Sequence, residues 1–212
     1  MVSQTDGRLL RGDRTRAAVL DVAVALATEV GLDGLSLSQV ADRLLISKSA
    51  LFAHWRNKEE LQLATVERAR ERYREHVVVP ALKAPKGVRR LWALFDHWLT
   101  YITAYELPGG CFFTNTQFEY NARPGPIRDR LTESLVEWLA LIERLAADAV
   151  AAGELPESTD PRQTAFEINA VGVAVVYQSR LLPEAGIVGQ ARTAVLRRMR
   201  ALCTDPTLLP GE

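Results

Sequence analysis

The segment SLSQVADRLLISKSALFAHWRNKEEL, residues 36–61, constrains the fold more than any other part of the chain because it holds three helix-start signals. Ser36 followed by Gln39 forms a capping box, and Asn57 with the acidic residues after it starts another helix. Between these two starts, Ser47 caps a further helix. Helices of about seven residues are unstable alone. The pattern therefore predicts a helical unit in which longer helices support the short ones on both sides.

Proline and glycine divide the rest of the chain into helical lengths, and almost nothing alternates with period two for long enough to form a sheet. We predict an all-α protein of about nine helices. A small N-terminal domain is joined by a long helix to a larger helical domain. The predicted parts are a flexible basic arm over 1–12, a domain over 13–73 with its motif at about 36–55, and a second domain over 74–212.

Helix boundaries follow from the same signals. Gly31 ends the first helix, which starts at about Asp13, and Pro126 occupies a first helical position. The helix that begins after Asn57 continues towards Pro80. The later helices are predicted over 87–105, 112–121, 126–152, 161–182 and 185–203.

Composition limits the class of protein. The 26 basic and 26 acidic residues balance, so no overall positive charge indicates a nucleic-acid partner, and such a function must rest on local charge. Cys111 and Cys203 are too few for a disulfide framework, and no signal peptide is recognised. The longest apolar run, Ala170 to Tyr177, is too short to span a bilayer. We expect a cytoplasmic protein with no membrane partner.

The outward face of the third helix is the strongest functional signal derived from the residues. If Leu51 and Trp55 point inward, a slim, donor-rich set faces out, consisting of Lys48, Ser49, Ala53 and His54. This layout is that of a helix-turn-helix, whose second helix lies in the major groove of DNA. Lys58, at a helix N-terminus, forms an anion site suited to one phosphate. The alternative is an ordinary helical bundle with serine caps.

A basic segment precedes this domain. Arg8, Arg11, Arg14 and Arg16 precede or open the first helix, and only Asp13 opposes them. We expect this arm to enter a minor groove or to lie along phosphates.

The span from about 13 to 73 resembles the DNA-binding domain of TetR-family transcriptional regulators. The matching stretches are GLDGLS (31–36), Val40–Ala41, SKSALF (47–52), His54–Trp55 and NKEEL (57–61). The resemblance implies an all-α homodimer with a small DNA-binding domain and a larger domain that binds a small molecule. The DNA-contacting set is then expected to be Arg14, Ser36, Ser38, Ser47, Lys48, Ser49, Ala50, Phe52, Ala53, His54 and Lys58.

Two positions depart from the family pattern. The family usually has Gly in the turn, where this chain has Leu45, and Leu at positive φ is strained by about 1 kcal/mol or more. Either the turn is altered, or Leu45 packs well enough to offset the strain. The family also usually has Tyr at the position of Phe52, which lacks the hydroxyl that commonly meets a phosphate.

Aromatic residues are concentrated between Trp92 and Tyr120, with polar groups among them. Packing in the core explains any single ring, but the resemblance implies a ligand pocket here, and pockets of this kind are lined by rings with a few polar groups. The predicted lining residues are Trp92, Phe95, Trp98, Tyr101, Ile102, Cys111, Phe112, Asn115, Gln117, Phe118, Trp138 and Tyr177.

The segment GGCFF, residues 109–113, resembles a Gly-Gly-Cys segment of one subset of TetR-like C-terminal domains, as does ARPGPIRDRL further on. Cys111 is expected near a helix N-terminus, where the helix dipole lowers a thiol pKa, so a redox or electrophile sensor is one alternative. The favoured interpretation is a small buried hydrophobe, since no second cysteine lies nearby in the sequence.

The last two helices are predicted to form the dimer interface, because small residues on one stripe let a second helix approach closely. The residues are Ala165, Asn169, Gly172, Val176, Ala191, Ala194, Val195 and Leu202. The alternative is that this face packs within its own subunit.

These observations predict a ligand-released repressor that binds a palindromic operator in double-stranded DNA as a dimer, with a small-molecule inducer and no cofactor. No catalytic residue and no metal ligand set is assigned, since the three histidines lack metal-ligand spacing and no nucleophile motif is present. Two rivals remain open. One is a thiol enzyme that pairs Cys111 with His97, and the other is a structural dimer whose DNA-binding part has decayed.

Overall fold

The computed structural model of this protein describes residues 4–52, 54–103 and 107–211, with side chains from Arg16 onward except at Ala50 and Phe52. Within these ranges the chain is helical without strands, as predicted. The α-helices are α1 (Gln4–Val30), α2 (Leu37–Leu44), α3 (Lys48–Phe52), α4 (Lys58–Tyr73), α5 (Val79–Leu82), α6 (Val88–Ile102), α7 (Phe112–Tyr120), α8 (Pro126–Ala151), α9 (Pro161–Leu181) and α10 (Ile187–Leu202).

The chain divides into two compact units. The N-terminal unit comprises Met1–Arg72 and Tyr105–Thr132, and the C-terminal unit comprises Tyr73–Ala104 and Glu133–Glu212. This division differs from the contiguous one predicted, because the segment that contains α7 belongs to the N-terminal unit. The reason is that α7 packs against α1, far from it in sequence.

The first helix begins earlier than predicted. It starts at Gln4 rather than at Asp13, so the main chain of residues 4–12 is helical instead of forming an irregular arm. Gly7 and Gly12 each cost only about 1 kcal/mol in a helix, which is too little to stop one that continues into a packed segment.

Two of the three predicted helix caps, Ser36 and Asn57, are confirmed, whereas the Ser47 Oγ lies beside the Ser49 Oγ. The Ser36 Oγ accepts from the main-chain N–H of Gln39 at 3.2 Å, and the Asn57 side chain accepts from the N–H of Glu60 at 2.8 Å. Asp160 caps α9 in the same way. Gly31 follows α1 with φ +80°, as expected of a glycine that ends a helix.

The predicted helix from Asn57 towards Pro80 is divided. Regular α-helix ends at Tyr73, a π-helical turn covers Arg74–Val78, and α5 follows. Pro80 has no N–H for the α-helical bond to the carbonyl of His76, and its ring crowds that carbonyl. A local π-helical turn accommodates the proline without ending the helix.

Each unit has its own core. In the N-terminal unit α1 packs on α2 and α7, and α2 packs on α3, with Ala23, Val24, Val40 and Leu51 almost fully buried. In the C-terminal unit α6 packs on α5, α9 and α10, and α9 also packs on α10.

Candidate functional site

The short helix α3 turns its polar residues outward. Leu51 and Trp55 are each 1% exposed, whereas Lys48, Ser49 and His54 are exposed. Two buried residues therefore orient the helix so that its donors face solvent, as the sequence indicated.

Other expected DNA contacts surround α3. Ser47 is exposed, and its Oγ lies 3.0 Å from the Oγ of Ser49. Ser36 and Ser38, at the start of α2, are half-buried. The guanidinium carbon of Arg16 lies 5.1 Å from the centre of a Trp55 ring, so this arginine covers a core residue. The side chains of Arg14, Ala50 and Phe52, and all of Ala53, lie outside the described residues.

The turn before α3 keeps its left-handed residue. Leu45 has φ 55° and ψ 38°, and its side chain is 93% exposed. Both expectations for this position are wrong. The turn is not altered, and no packing within the protomer offsets the strain.

Lys58 does not stand alone at the start of α4. Its Nζ donates to the main-chain oxygen of Asp33 and lies 3.4 Å from Asp33 Oδ1. Arg123 Nη1 lies 3.0 Å from the other carboxylate oxygen. Arg123 and then Lys58 hold the pKa of Asp33 below its usual 3.8. The anion site predicted from Lys58 therefore already contains a carboxylate, contributed by a residue far away in sequence.

Glu119 on α7 binds the turn that follows α1. Its two carboxylate oxygens accept from the main-chain N–H groups of Leu32 and Asp33, each at 2.8 Å. These bonds satisfy two N–H groups of the loop that leads into α2. Sequence reasoning missed Glu119, since nothing near it in sequence points to this loop.

A second polar link lies beside it. Gln62 Nε2 on α4 donates to the Leu32 carbonyl at 2.7 Å and to the Tyr120 hydroxyl at 3.3 Å. Burial, with smaller effects from nearby carboxylates, raises the pKa of Tyr120 to about 12. Through this bond α7 contacts the first part of α4.

The Gly-Gly-Cys segment has a packing role. The N–H of Gly109 donates to Thr28 Oγ1 at 2.9 Å, and a Cβ on Gly109 would lie 1.6 Å from the Thr28 carbonyl oxygen. Gly110 has φ +85°, which favours glycine. The Asn115 side chain donates to the Gly109 carbonyl at 2.8 Å, and Cys111 is only 2% exposed.

The predicted pocket residues fall in both units. In the N-terminal unit, Phe112 and Cys111 are buried, Gln117 Nε2 lies 3.4 Å from the Leu131 carbonyl, and Phe118 is 60% exposed. In the C-terminal unit, Ile102 is buried and Tyr177 is 52% exposed.

Five of the predicted residues form one series of rings in the C-terminal unit. Successive ring centres lie 5.1 to 6.3 Å apart, mostly in edge-to-face arrangements. The series runs Trp92, Phe95, Trp98, Trp138, Tyr73, Tyr101 and His76. Sequence reasoning missed Tyr73 and His76, because they precede the aromatic-rich segment and sit among charged residues.

Trp98 is buried against α9. Its benzene edge lies against Gly172, where a Cβ would be 1.9 Å from Trp98 Cζ3. Its indole N–H is buried and has no hydrogen-bond partner among the described residues. The neighbouring Trp138 donates its own N–H to Asn169 Oδ1 at 3.1 Å.

These contacts correct the predicted dimer stripe on α9. Ala165, Gly172 and Val176 are buried within their own protomer, and Asn169 bonds Trp138. On α10, Ala191 and Val195 are likewise buried, whereas Ala194 is exposed and Leu202 is half-buried. The stripe packs on α6, because only a residue as small as Gly172 leaves room for Trp98.

An adjoining stripe of α9 is apolar and exposed instead. Phe166, Tyr177 and Leu181 are 66%, 52% and 75% exposed, and Ala170 lies between the first two. Steps of four, seven and four residues place them on one face.

A cavity of about 160 Å³ lies between α6, α9 and α10. None of the predicted pocket residues borders it. Its walls are Leu91, Leu155, Thr164, Glu167, Ile168, Val171, Ala194, Val195, Arg198, Met199 and Leu202.

Two absences hold for residues 4–52, 54–103 and 107–211 of the chain. No helix there is both long and apolar enough to cross a membrane. No cluster of three or more His, Cys, Asp or Glu side chains that could hold a metal ion occurs among them.

Comparison with known proteins matches both units of the sequence. Residues 19–65 match the family model of bacterial regulatory proteins of the tetR family. Residues 87–195 match the model of the tetracyclin repressor-like C-terminal domain. The HTH-type transcriptional repressor ComR of Escherichia coli is 24% identical over 159 residues, which cover 74% of this chain and 75% of ComR.

Solved structures are similar over nearly the whole length. A TetR transcriptional regulator from Chloroflexus aurantiacus has a TM-score of 0.83 at 27% identity, covering 91% of this chain and 98% of that one. AibR, solved with isovaleryl coenzyme A and operator DNA, has a TM-score of 0.69 at 21% identity, covering 88% and 97%. NemR of Escherichia coli in its reduced form has a TM-score of 0.75 at 18% identity, covering 91% and 98%.

Proposed function

The chain belongs to the TetR family of DNA-binding transcriptional regulators, and on that premise we propose that it is a ligand-released repressor that binds a palindromic operator as a homodimer. The fold and family are those of transcriptional regulators and not of enzymes. The similarity to ComR, which is named a repressor, supports repression over activation.

The observation that carries the proposal is the orientation of α3. Leu51 on α3 and Trp55 just after it are buried, which leaves Lys48 and Ser49 on α3, and His54 beyond its end, exposed. Donors of this length reach base edges in a major groove, and lysine commonly bonds the O6 and N7 of guanine. A structural dimer with a decayed DNA-binding part would have no reason to keep this face polar and open.

Phosphate binding at α4 is an exchange of anions. Lys58 is paired with Asp33 in the free chain, so a DNA phosphate must compete with a carboxylate for the same ammonium. The N-terminus of α4 favours the phosphate, since its first N–H groups point towards it. Arg123 can keep its bond to Asp33 while Lys58 changes partner, which limits the cost of the exchange.

The dimer surface proposed here is the exposed stripe of α9. Phe166, Tyr177 and Leu181 give the C-terminal unit an apolar helix face with no cover within the protomer. Packing two such faces about a two-fold axis buries them both. Substituting Phe166 and Leu181 by Glu is expected to give monomers in sedimentation experiments.

The ligand site is proposed at the ring series of the C-terminal unit. Tyr73 is both the last residue of α4 and a member of that series, so a molecule that shifts the rings acts directly on the end of α4. AibR, which has the same fold, was solved with an acyl-coenzyme A and operator DNA together, and this precedent supports a small-molecule effector. A ligand that favours another arrangement of α4 lowers DNA affinity.

Sensing through Cys111 is not adopted as the main function. The thiol is 2% exposed at the start of α7, so oxidants and electrophiles have little access to it. A Cys111→Ser protein is expected to bind and release DNA as the wild type does.

The test is binding to the DNA upstream of the protein's own gene at several salt concentrations. Replacing Lys48 and Lys58 by Ala is expected to weaken binding by at least about tenfold. The replacement should also reduce the slope of log K against log salt by about 2 to 4, since each dimer loses four cationic contacts.

The matched control replaces Lys83 and Lys86, which are exposed in the C-terminal unit, and should leave affinity and slope unchanged. Equal behaviour of the two double variants would refute the assignment of α3 and α4 to DNA.

A further inference from the structure

Leu45 adopts a conformation that leucine disfavours. It closes α2 with φ 55°, and it is the one residue other than glycine with positive φ in the described parts of the chain. There the Cβ of a leucine crowds the following carbonyl, whereas glycine has no such contact.

The turn itself does not require a leucine. The N–H of Ile46 donates to the Ala41 carbonyl at 3.1 Å, and the N–H of Leu45 donates to the Asp42 carbonyl at 3.3 Å. This is the Schellman arrangement, which glycine forms with less strain. Helix capping therefore gives no reason for a side chain at this position.

Packing gives no reason either. The Leu45 side chain is 93% exposed, the largest exposure among the large apolar residues described, and Ile46 beside it is 40% exposed. A strained residue with no compensating contact in the free protein indicates a contact made with something else.

The neighbours of Leu45 identify that partner. Ser47, Lys48 and Ser49 follow Ile46 and are all exposed at the start of α3, on the side proposed to face DNA. Asp42 and Arg43 precede Leu45 and are exposed as well. The exposed apolar area of Leu45 and Ile46, which charged residues surround, is far smaller than that of a protein–protein interface.

Duplex DNA presents one apolar group in the major groove, which is the 5-methyl group of thymine. We propose that Leu45 packs against a thymine methyl of the operator, and is therefore a specificity-determining residue at the edge of the recognition helix. This inference rests on the proposed function, because it requires α3 to lie in a major groove.

The experiment is a double-mutant cycle, in which removal of the Leu45 side chain is combined with removal of the thymine methyl groups. The DNA upstream of the gene is amplified once with thymidine and once with deoxyuridine triphosphate, which removes every thymine methyl and keeps the base pairing. Wild-type protein and a Leu45→Gly variant are titrated with both fragments. Methyl contacts made by other residues affect both proteins alike and cancel in the comparison.

We expect Leu45→Gly to weaken binding to the thymine fragment about 15-fold, or about 4-fold for each protomer of the dimer, and to leave binding to the uracil fragment unchanged. The variant should melt no lower than the wild type, because glycine relieves the strain. Leu45→Asn, which also tolerates positive φ, should repeat the result.

Several outcomes overturn the inference. An equal loss on both fragments would mean that Leu45 acts through the fold, and no loss on either would mean that it touches no base. A change in self-association of Leu45→Gly without a change in DNA binding would indicate a protein contact. If the wild type binds neither fragment, the proposed function fails first, and its failure is seen separately from that of Leu45.

Discussion

The N-terminal unit and the C-terminal unit differ in the contacts within their own interiors. In the first, directed polar bonds join segments distant in sequence, as Glu119 binds the N–H groups of Leu32 and Asp33 and Thr28 binds that of Gly109. The second also has long-range polar bonds, from the Val88 N–H to Glu154 and from Arg192 to Asp96. It differs in containing a series of aromatic rings that includes Trp98, whose N–H has no partner among the described residues, and in having a cavity within the same unit.

This difference in contacts affects how many conformations the interior of each unit can adopt. Hydrogen bonds of fixed length and direction allow one arrangement of the loops that carry the DNA-binding helices. Contacts between aromatic rings depend less on direction than hydrogen bonds do. A ligand that supplies an acceptor would stabilise the unpaired indole N–H of Trp98. A rigid N-terminal unit and an adjustable C-terminal unit would suit the ligand-controlled DNA binding proposed above.

Gly109→Ala tests the rigid unit most severely. Its Cβ would meet the main chain of Thr28, which cannot rotate away, and the bond from the Gly109 N–H would be disturbed. We expect a loss of about 3 kcal/mol or more in the free energy of unfolding, measured by urea denaturation. The control is Gly189→Ala in α10, where the Cβ meets open space and stability should rise by up to about 1 kcal/mol.

Gly172→Ala applies the same change to the adjustable unit. The Cβ would meet the ring of Trp98, a side chain that can tilt although it is tightly packed. We expect a smaller loss, about 2 kcal/mol, together with a shifted tryptophan fluorescence spectrum. If Gly172→Ala is more damaging than Gly109→Ala, the distinction between a rigid and an adjustable unit is wrong.

Glu119→Ala removes the carboxylate that binds the loop between α1 and α2. Two main-chain N–H groups lose a charged acceptor, so we expect a loss of about 1.5 to 3 kcal/mol in denaturation experiments. Amide exchange should accelerate at Leu32 and Asp33. The exposed Glu157, in the C-terminal unit, provides the control, and its replacement by Ala should change stability by less than about 0.5 kcal/mol.

Asp33→Asn has the smallest expected effect and the clearest dependence on pH. The folded-state pKa of Asp33 is below 3.8, so its ion pairs stabilise the protein above that pH, and the stabilisation is lost as pH falls through the lowered pKa. The variant should be less stable than the wild type by under about 1 kcal/mol at pH 7 and equally stable near pH 2.

The same substitution releases Lys58 from its carboxylate, so affinity for operator DNA should rise a few-fold at low salt. Asp42→Asn is the control, because it removes an exposed negative charge from α2 without touching Lys58. If both variants raise the affinity equally, net charge explains the effect and the pairing of Asp33 with Lys58 does not.

The sequence alone determined most of the helix boundaries and which side of α3 is buried. The signals are local: Ser36 and Asn57 bond N–H groups three residues ahead, Gly31 supplies a positive φ, and Leu51 and Trp55 set the buried side of α3. These signals act within one or two helical turns, and over this range the local sequence is sufficient to set the backbone conformation and the buried side of a helix.

Only the tertiary structure decided which apolar faces remain open and which polar groups meet. Helix α9 carries two adjoining apolar stripes, and Trp98 covers the one with Gly172, so Phe166 and Leu181 are left exposed. Glu119 meets Leu32, and Tyr73 joins the ring series, across long separations in the chain. The spacing of apolar residues along a helix shows that one face is apolar. It does not show which other helix covers that face, because this depends on how separate helices pack.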